Sequence, residues 1–371
     1  MTTDWLVVGA GYTGCVLAER IATQRNERVL IVERREHIGG NAHDHPDAHG
    51  VLVHRYGPHI FHTNSRRVWD YLSQFTAWRA YEHRVLAEVG GKRIPVPFNL
   101  NSLEALFPPR DAERLTSKLI GTYGSDGHVP ILRMLEAEDP DIRRLAEFIY
   151  EHIFLGYTLK QWGVPPERLD PSVTGRVPVR IGRDDRYFQD AYQAMPARGY
   201  AAMFERMLAH PNITVWLGTD YGRIAGEVRA RRTIYTGPID AFFDYMHGPL
   251  PYRSIRFEFQ TFAQERYQEV GTVNFPNAHP FTRITEFKHL TGQVARQTTV
   301  VVEYPMAHRP GETEPYYPVP QEESRQRYAL YVREVEKLNG AVIFAGRLAD
   351  YKYYNMDQAV ARALKVFDEL K

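Results

Sequence analysis

The sequence predicts an α/β protein of more than one domain, and three observations carry that reading. A strand, a glycine-rich turn, a helix and a second strand fill the first 33 residues; residues 101–162 keep a helical apolar period; short strand-like segments separated by turn residues then follow. The chain has 371 residues, which at roughly 100–200 residues per domain implies two or three domains. Charge cancels, with 46 Lys+Arg against 45 Asp+Glu, so no long-range field gathers nucleic acid. No stretch reaches the roughly 18 apolar residues of a membrane span. The single cysteine, Cys15, excludes an internal disulfide framework. These features and the absence of a basic leader after Met1 give the expectation of a cytoplasmic protein.

Taken in order, residues 5–8 (WLVV) form the first strand and enter Gly9-Ala10-Gly11-Tyr12-Thr13-Gly14. Val16, Leu17, Ile21 and Ala22 then fall at helical spacing, and residues 29–32 (VLIV) end at Glu33. Helices are expected at 111–120 and 141–155, where Ile142, Leu145, Phe148, Ile149 and Ile153 form a stripe. Residues 163–186, rich in Pro, Arg, Asp and Gly, read as a loop that can move. Segments 213–217, 233–236, 255–262 and 299–304 are expected as antiparallel strands. A last strand at 341–345 leads to Gly346-Arg347, and a helix follows over 357–370.

Gly9-x-Gly11-x-x-Gly14 lies between strand and helix, where a dinucleotide site needs it. The first glycine makes the turn, the second lets a pyrophosphate approach the backbone, and the third lets helix and strand close up. Tyr12 and Thr13 share that turn. Glu33, 19 residues past Gly14, can hold a ribose hydroxyl and disfavours a 2′-phosphate, against which stand Arg34 and Arg35. Gly39-Gly40-Asn41 and the late Gly346-Arg347 resemble flavoproteins of the glutathione-reductase and amine-oxidase type, so the expected cofactor is FAD. The last helix begins near Asn355-Met356-Asp357, and its positive end would favour an anionic reduced flavin.

Seven of the fifteen histidines fall between His37 and His62. Their spacing is irregular and no cysteine joins them, so no metal is expected; His59-Ile60-Phe61-His62 is expected to line the cofactor pocket. Cys15 reads as a small buried hydrophobe. The 23 tyrosines supply stacking faces and hydroxyl donors.

The segments Tyr56–His62 (YGPHIFH), Pro97–Leu100 (PFNL), Gly156–Trp162 (GYTLKQW), Pro178–Arg180 (PVR), Tyr235–Pro238 (YTGP), Thr282–Glu286 (TRITE), Tyr316–Pro318 (YYP), Gly346–Leu348 (GRL) and Tyr351–Asp357 carry a resemblance. From end to end the chain resembles the bacterial UDP-galactopyranose mutase family. The resemblance implies a discontinuous FAD-binding Rossmann-like domain (1–80, 198–240 and 335–371) and a helical domain (101–175) with its mobile loop about 163–186. It also implies a six-stranded antiparallel sheet domain (81–100, 176–197 and 241–334). It implies interconversion of UDP-galactopyranose and UDP-galactofuranose without net redox, through a covalent adduct at N5 of reduced FAD, supplying galactofuranose for cell-surface polysaccharide. Implied partners are UDP, an external reductant such as NAD(P)H or a reductase, and further copies of the chain in a homo-oligomer, at least a dimer.

By the same resemblance Arg176 and Arg283 stabilise the diphosphate, with Tyr187, Tyr317 and Tyr353; Tyr316 is the alternative to Tyr317. Phe154, Tyr157, Thr158 and Trp162 flank the uracil, Asn274 faces the pocket and His59 lies beside the flavin ring. Cofactor contacts fall to Gly9, Gly11, Tyr12, Thr13, Gly14, Glu33, Arg34, Gly39, Gly40, Asn41, His59, Gly346, Arg347, Tyr353, Asn355 and Met356. Two departures stand out: Ile153 where relatives place an aromatic, and Asn355, also counted at the substrate site, where they place Asp. Two other classes compete, an ordinary FAD oxidoreductase of amine-oxidase type and a UDP-sugar-binding flavoprotein.

Overall fold

The structure is a computed structural model that describes residues 1–170 and 175–370. Five parallel strands form its first sheet, in the order Ile213–Trp216, Val29–Val32, Thr2–Val8, Arg229–Tyr235 and Val342–Phe344. Three distant stretches of sequence therefore supply one sheet. The helix Tyr12–Arg25 is buried without a break from Tyr12 to Glu19. It lies between that sheet, the helix Tyr200–Leu208 and the final helix Met356–Glu369. Gly14 makes this possible, since a Cβ there would fall 2.0 Å from the Gly9 carbonyl oxygen.

The expectation that 213–217 and 233–236 are antiparallel is corrected here, because both run parallel to their neighbours. An apolar run flanked by turn residues says nothing about direction, which the crossovers decide.

A second sheet holds seven strands, ordered Tyr317–Pro318, Tyr252–Phe262, Thr298–Ala307, Arg283–Glu286, Thr272–Asn274, Val85–Val89 and Lys92–Val96. The six antiparallel strands implied by resemblance are thus seven, and one pair, Thr272–Asn274 with Val85–Val89, is parallel. That pair joins segments far apart in sequence, so no hairpin fixes their direction. A small sheet sets Phe61–Thr63 against Tyr192–Pro196, placing His62 opposite Gln193.

The helical region holds Leu100–Leu106, Pro109–Tyr123, Pro140–Ile149 and Gly156–Trp162, and a single wide π-helical turn, Tyr150–Leu155, joins the last two. Ile142, Leu145, Ile149 and Ile153 pack against Leu115, Leu119 and Phe98. The helical run is broken by a strand, Gly127–Val129, paired with Val179–Ile181. The loop expected over 163–186 is correspondingly shorter, and its residues 171–174 lie outside the described residues. Among the described residues no helix is long and apolar enough to cross a membrane.

Glu286 ties the second sheet together. It is fully buried and accepts from the Tyr267 and Gln268 amides and from Thr298 Oγ1. Burial works against its charge, but His289, Thr298 and the amides outweigh it and hold its pKa at about 2. Its contribution is therefore complete above the usual carboxylate range and lost as pH falls toward 2. Glu286→Ala leaves two amides and a hydroxyl unpaired and is expected to cost about 3 kcal/mol in urea unfolding at pH 7.

Candidate active site

Two cavities meet in the middle of the molecule. One, of about 550 Å³, runs along the glycine turn and is bordered by Gly9, Gly11, Tyr12, Thr13, Glu33, Arg34, Gly39, Gly40 and Gly346. The other, of about 650 Å³, lies between the helical region and the second sheet. Asn41, His59, Arg347, Asn355 and Met356 border both, so these five side chains form the common wall.

The groove is a backbone cradle. A Cβ on Gly40 would fall 2.9 Å from the Gly11 Cα, so only paired glycines leave both chain segments bare toward a ligand. Glu33 is anchored from behind, accepting from the Ala10 amide at 2.8 Å and the Arg35 amide at 3.0 Å. Each carboxylate oxygen keeps a second lone pair. Arg34 and Arg35 both pair with Glu314, which draws the segment 308–315 along the groove. Two expected cofactor contacts fall elsewhere. Gly14 is a packing glycine away from the groove lining, and Tyr353 borders the larger cavity instead. Tyr12 borders the groove, but its ring packs edge-on to Phe204 at 4.8 Å and its hydroxyl is buried without a partner among the described residues. Cys15 is buried, with its thiol directed at the Ala10 carbonyl, and burial pushes its pKa up.

The larger cavity collects Arg176, Arg283, His59, Phe154, Tyr157, Thr158, Trp162, Tyr187, Asn274, Tyr316, Tyr317, Tyr353 and Asn355. Arg176 lies 4.0 Å above the Tyr353 ring and donates to the Tyr353 carbonyl at 2.9 Å, so it is already in place at the cavity rim. Arg283 donates from Nε to Glu303 Oε1 at 2.7 Å. Desolvation opposes its charge, but Glu303 outweighs it and keeps the guanidinium protonated. Tyr317 meets Tyr353 edge to face at 5.0 Å, and the Arg347 guanidinium lies over both rings. Tyr316 instead packs on Tyr56 and Phe257 and forms wall. Trp162 closes the cluster against Tyr317 and Tyr353.

His59 Nδ1 lies 2.9 Å from the Gly57 carbonyl. Burial, with Arg347 and Arg283 adding to it, lowers its pKa to about 4, so it is a neutral imidazole whose Nδ1–H donates to that carbonyl. Asn355 caps the final helix, with its own amide bonded to Gln358 Oε1 at 2.9 Å. Asn355 in place of Asp therefore preserves the cap and removes one carboxylate from the helix's positive end at the common wall, where Asp357 stays in the first turn.

Sequence reasoning missed Glu303, the buried partner of Arg283, whose Oε2 has no partner among the described residues. It also missed the part played by Lys160. That ammonium donates to the carbonyls of Phe275, His279 and Phe281, and Arg253 donates to the carbonyls of Lys160 and Gln161. Lys160 thus bolts the helix Gly156–Trp162 to the loop that follows Asn274, and Arg253 ties the end of the same helix to the strand Tyr252–Phe262. Gly156 lets helix and loop approach, since a Cβ there would lie 2.6 Å from the Pro276 oxygen. The Lys in GYTLKQW was the available signal. Lys160→Met is expected to weaken UDP binding about tenfold, read by calorimetry, through loosening of this joint.

Comparison with known proteins bears on the same segments. The family model for UDP-galactopyranose mutase matches residues 152–353, and that for an NAD(P)-binding Rossmann-like domain matches residues 7–75. The chain is 37% identical over 368 residues to a probable UDP-galactopyranose mutase of Klebsiella pneumoniae, covering 98% of this chain and 94% of the relative. It is 32% identical to a dTDP-fucopyranose mutase of Escherichia coli, covering 97% and 96%. A crystal structure of reduced UDP-galactopyranose mutase shares the fold, with a TM-score of 0.75 at 17% identity over 100% of this chain and 94% of that one. The match spans the chain from the glycine turn to the capped final helix, and the protein belongs to the UDP-galactopyranose mutase family.

Proposed function

We propose that the protein interconverts UDP-galactopyranose and UDP-galactofuranose with no net oxidation or reduction, using FAD kept reduced by an external reductant. The observation that carries this reading is the common wall. A dinucleotide groove and a polar, aromatic cavity open onto each other at Asn41, His59, Arg347, Asn355 and Met356. The paired glycines fit FAD, because they leave backbone where a pyrophosphate must approach; Glu33 would hold its ribose, and Asn355 and Met356 on the common wall would border its ring. A bound, reduced FAD supplies an electron-rich ring nitrogen for the anomeric carbon.

The chain's own residues supply the remainder. Arg283 and Arg176 both border the cavity and offset the charge that develops on UDP as it leaves C1, while Tyr187, Tyr317 and Tyr353 donate hydroxyls. Phe154, Tyr157, Thr158 and Trp162 hold the uracil, which keeps the departed UDP close enough to recombine. His59, being neutral, adds no charge beside the cofactor.

The test is a product assay. Protein reduced with dithionite is given UDP-galactofuranose, and in parallel a dTDP-fucofuranose. Formation of UDP-galactopyranose only after reduction is expected; conversion of the dTDP sugar alone would move the assignment to the chemistry named for the Escherichia coli relative. Stable binding without conversion of either sugar would leave a binding protein.

A further inference from the structure

A second histidine faces the larger cavity with a partner of its own. His62 Nδ1 lies 2.8 Å from Asp190 Oδ2, and both residues border the cavity. The imidazole stacks on Phe188 with centroids 3.6 Å apart and planes 14° from parallel, so the ring cannot turn freely. Asp190 is also held: its Oδ1 accepts from the Asn64 amide nitrogen at 2.9 Å, while Asn64 Oδ1 accepts from the Ala191 backbone amide at 2.9 Å. The Asn64 side chain therefore has one orientation and presents a donor to Asp190. The hydrogen bond from His62 holds the Asp190 carboxyl below its ordinary range against the opposing effect of burial, so Asp190 is an acceptor only. Nδ1 of His62 must then carry a proton, which leaves Nε2 as the free position. Nε2 has no protein partner among the described residues, and the side chain is 12% exposed.

Resting on the mutase reading above, we propose that Asp190 is a positioning residue that fixes the tautomer of His62, and that His62 Nε2 carries the proton exchanged between the two sugar oxygens. Ring contraction moves a proton from one sugar oxygen to the other, and the neutral imidazole can carry it. Nε2 would accept the hydrogen that the reduced ring nitrogen sheds on bonding C1 and pass it to O5 as the C1–O5 bond breaks with its electron pair going to O5. Nε2 would then accept the proton of the 4-hydroxyl as an O4 lone pair forms the C1–O4 bond, and return it to the ring nitrogen when UDP rebonds to C1. Every proton taken is given back, and the imidazole ends neutral as it began. The carboxylate on Nδ1 stabilises the protonated form while it lasts.

The Asn64 clamp makes a sharp test. In Asp190→Asn, the new amide must turn its oxygen toward the Asn64 donor and its NH2 toward His62 Nδ1. This forces the imidazole proton onto Nε2, with little change in shape. The expected result is a fall in kcat of about 100-fold or more, with UDP affinity, KM and flavin content near those of the wild type. Adding Asn64→Ser to Asp190→Asn frees that amide to rotate and is expected to recover a large part of kcat, which a merely structural role for Asp190 would not do. A kcat within threefold of the wild type in Asp190→Asn, or no recovery in the double variant, overturns the proposal while leaving the mutase reading intact. A wild type that binds flavin and UDP yet converts no sugar overturns both.

Discussion

Arg283→Ala is expected to lower kcat by roughly 10²–10³-fold while the protein still binds flavin. The effect follows from where the charge sits. Among the described residues Arg283 is held by one bond, Nε to Glu303, so its two terminal nitrogens keep their donors free at a residue that borders the cavity. No reorganisation is then needed when negative charge appears on the leaving diphosphate. The same variant strands Glu303, fully buried with one oxygen already lacking a partner among the described residues. A loss of about 3–5 kcal/mol in stability is expected beside the kinetic loss. Pairing Arg283→Met with Glu303→Gln removes the stranded charge and is expected to restore much of the stability without restoring turnover. Near-normal kcat in Arg283→Ala would withdraw the arginine from the site.

Arg176→Ala is expected to lower kcat/KM about 10²-fold with a change in stability under about 1 kcal/mol. Arg176 is exposed and held by the Tyr353 ring and carbonyl, so its removal leaves no buried group unpaired. On the proposed reading the two arginines therefore carry the same charge to the same ligand with opposite structural consequences. Steady-state kinetics and urea unfolding on the two variants separate the effects. A stability loss in Arg176→Ala as large as in Arg283→Ala would contradict this account of the site.

What the sequence made legible follows from how local each signal is. The glycine turn, Glu33 and the strip Phe154 to Trp162 are set by spacings of a few residues, and the cavities form around them. The direction of Ile213–Trp216 and Arg229–Tyr235 was not legible, because the same apolar runs serve parallel and antiparallel sheets. Glu303 lies 20 residues from Arg283, and Asp190 lies 128 from His62, so nothing local announces either pairing. Lys160 was in plain view within its motif, but its three carbonyl partners come from a loop more than a hundred residues later. Gly14 shows the opposite case: a motif residue whose task is packing, as its missing Cβ predicts, and not contact with the ligand.

Electrons are lent and returned within each turnover, so the number of product molecules per flavin distinguishes this chemistry from net oxidation. Protein with its flavin fully reduced is mixed anaerobically with excess UDP-galactofuranose, and flavin absorbance is followed while UDP-galactopyranose is measured. Many product molecules per flavin, with the spectrum still that of the reduced form at the end, is the predicted result. One molecule of altered sugar per flavin, matched by one flavin reoxidised, would mean an ordinary oxidoreductase and would contradict the account.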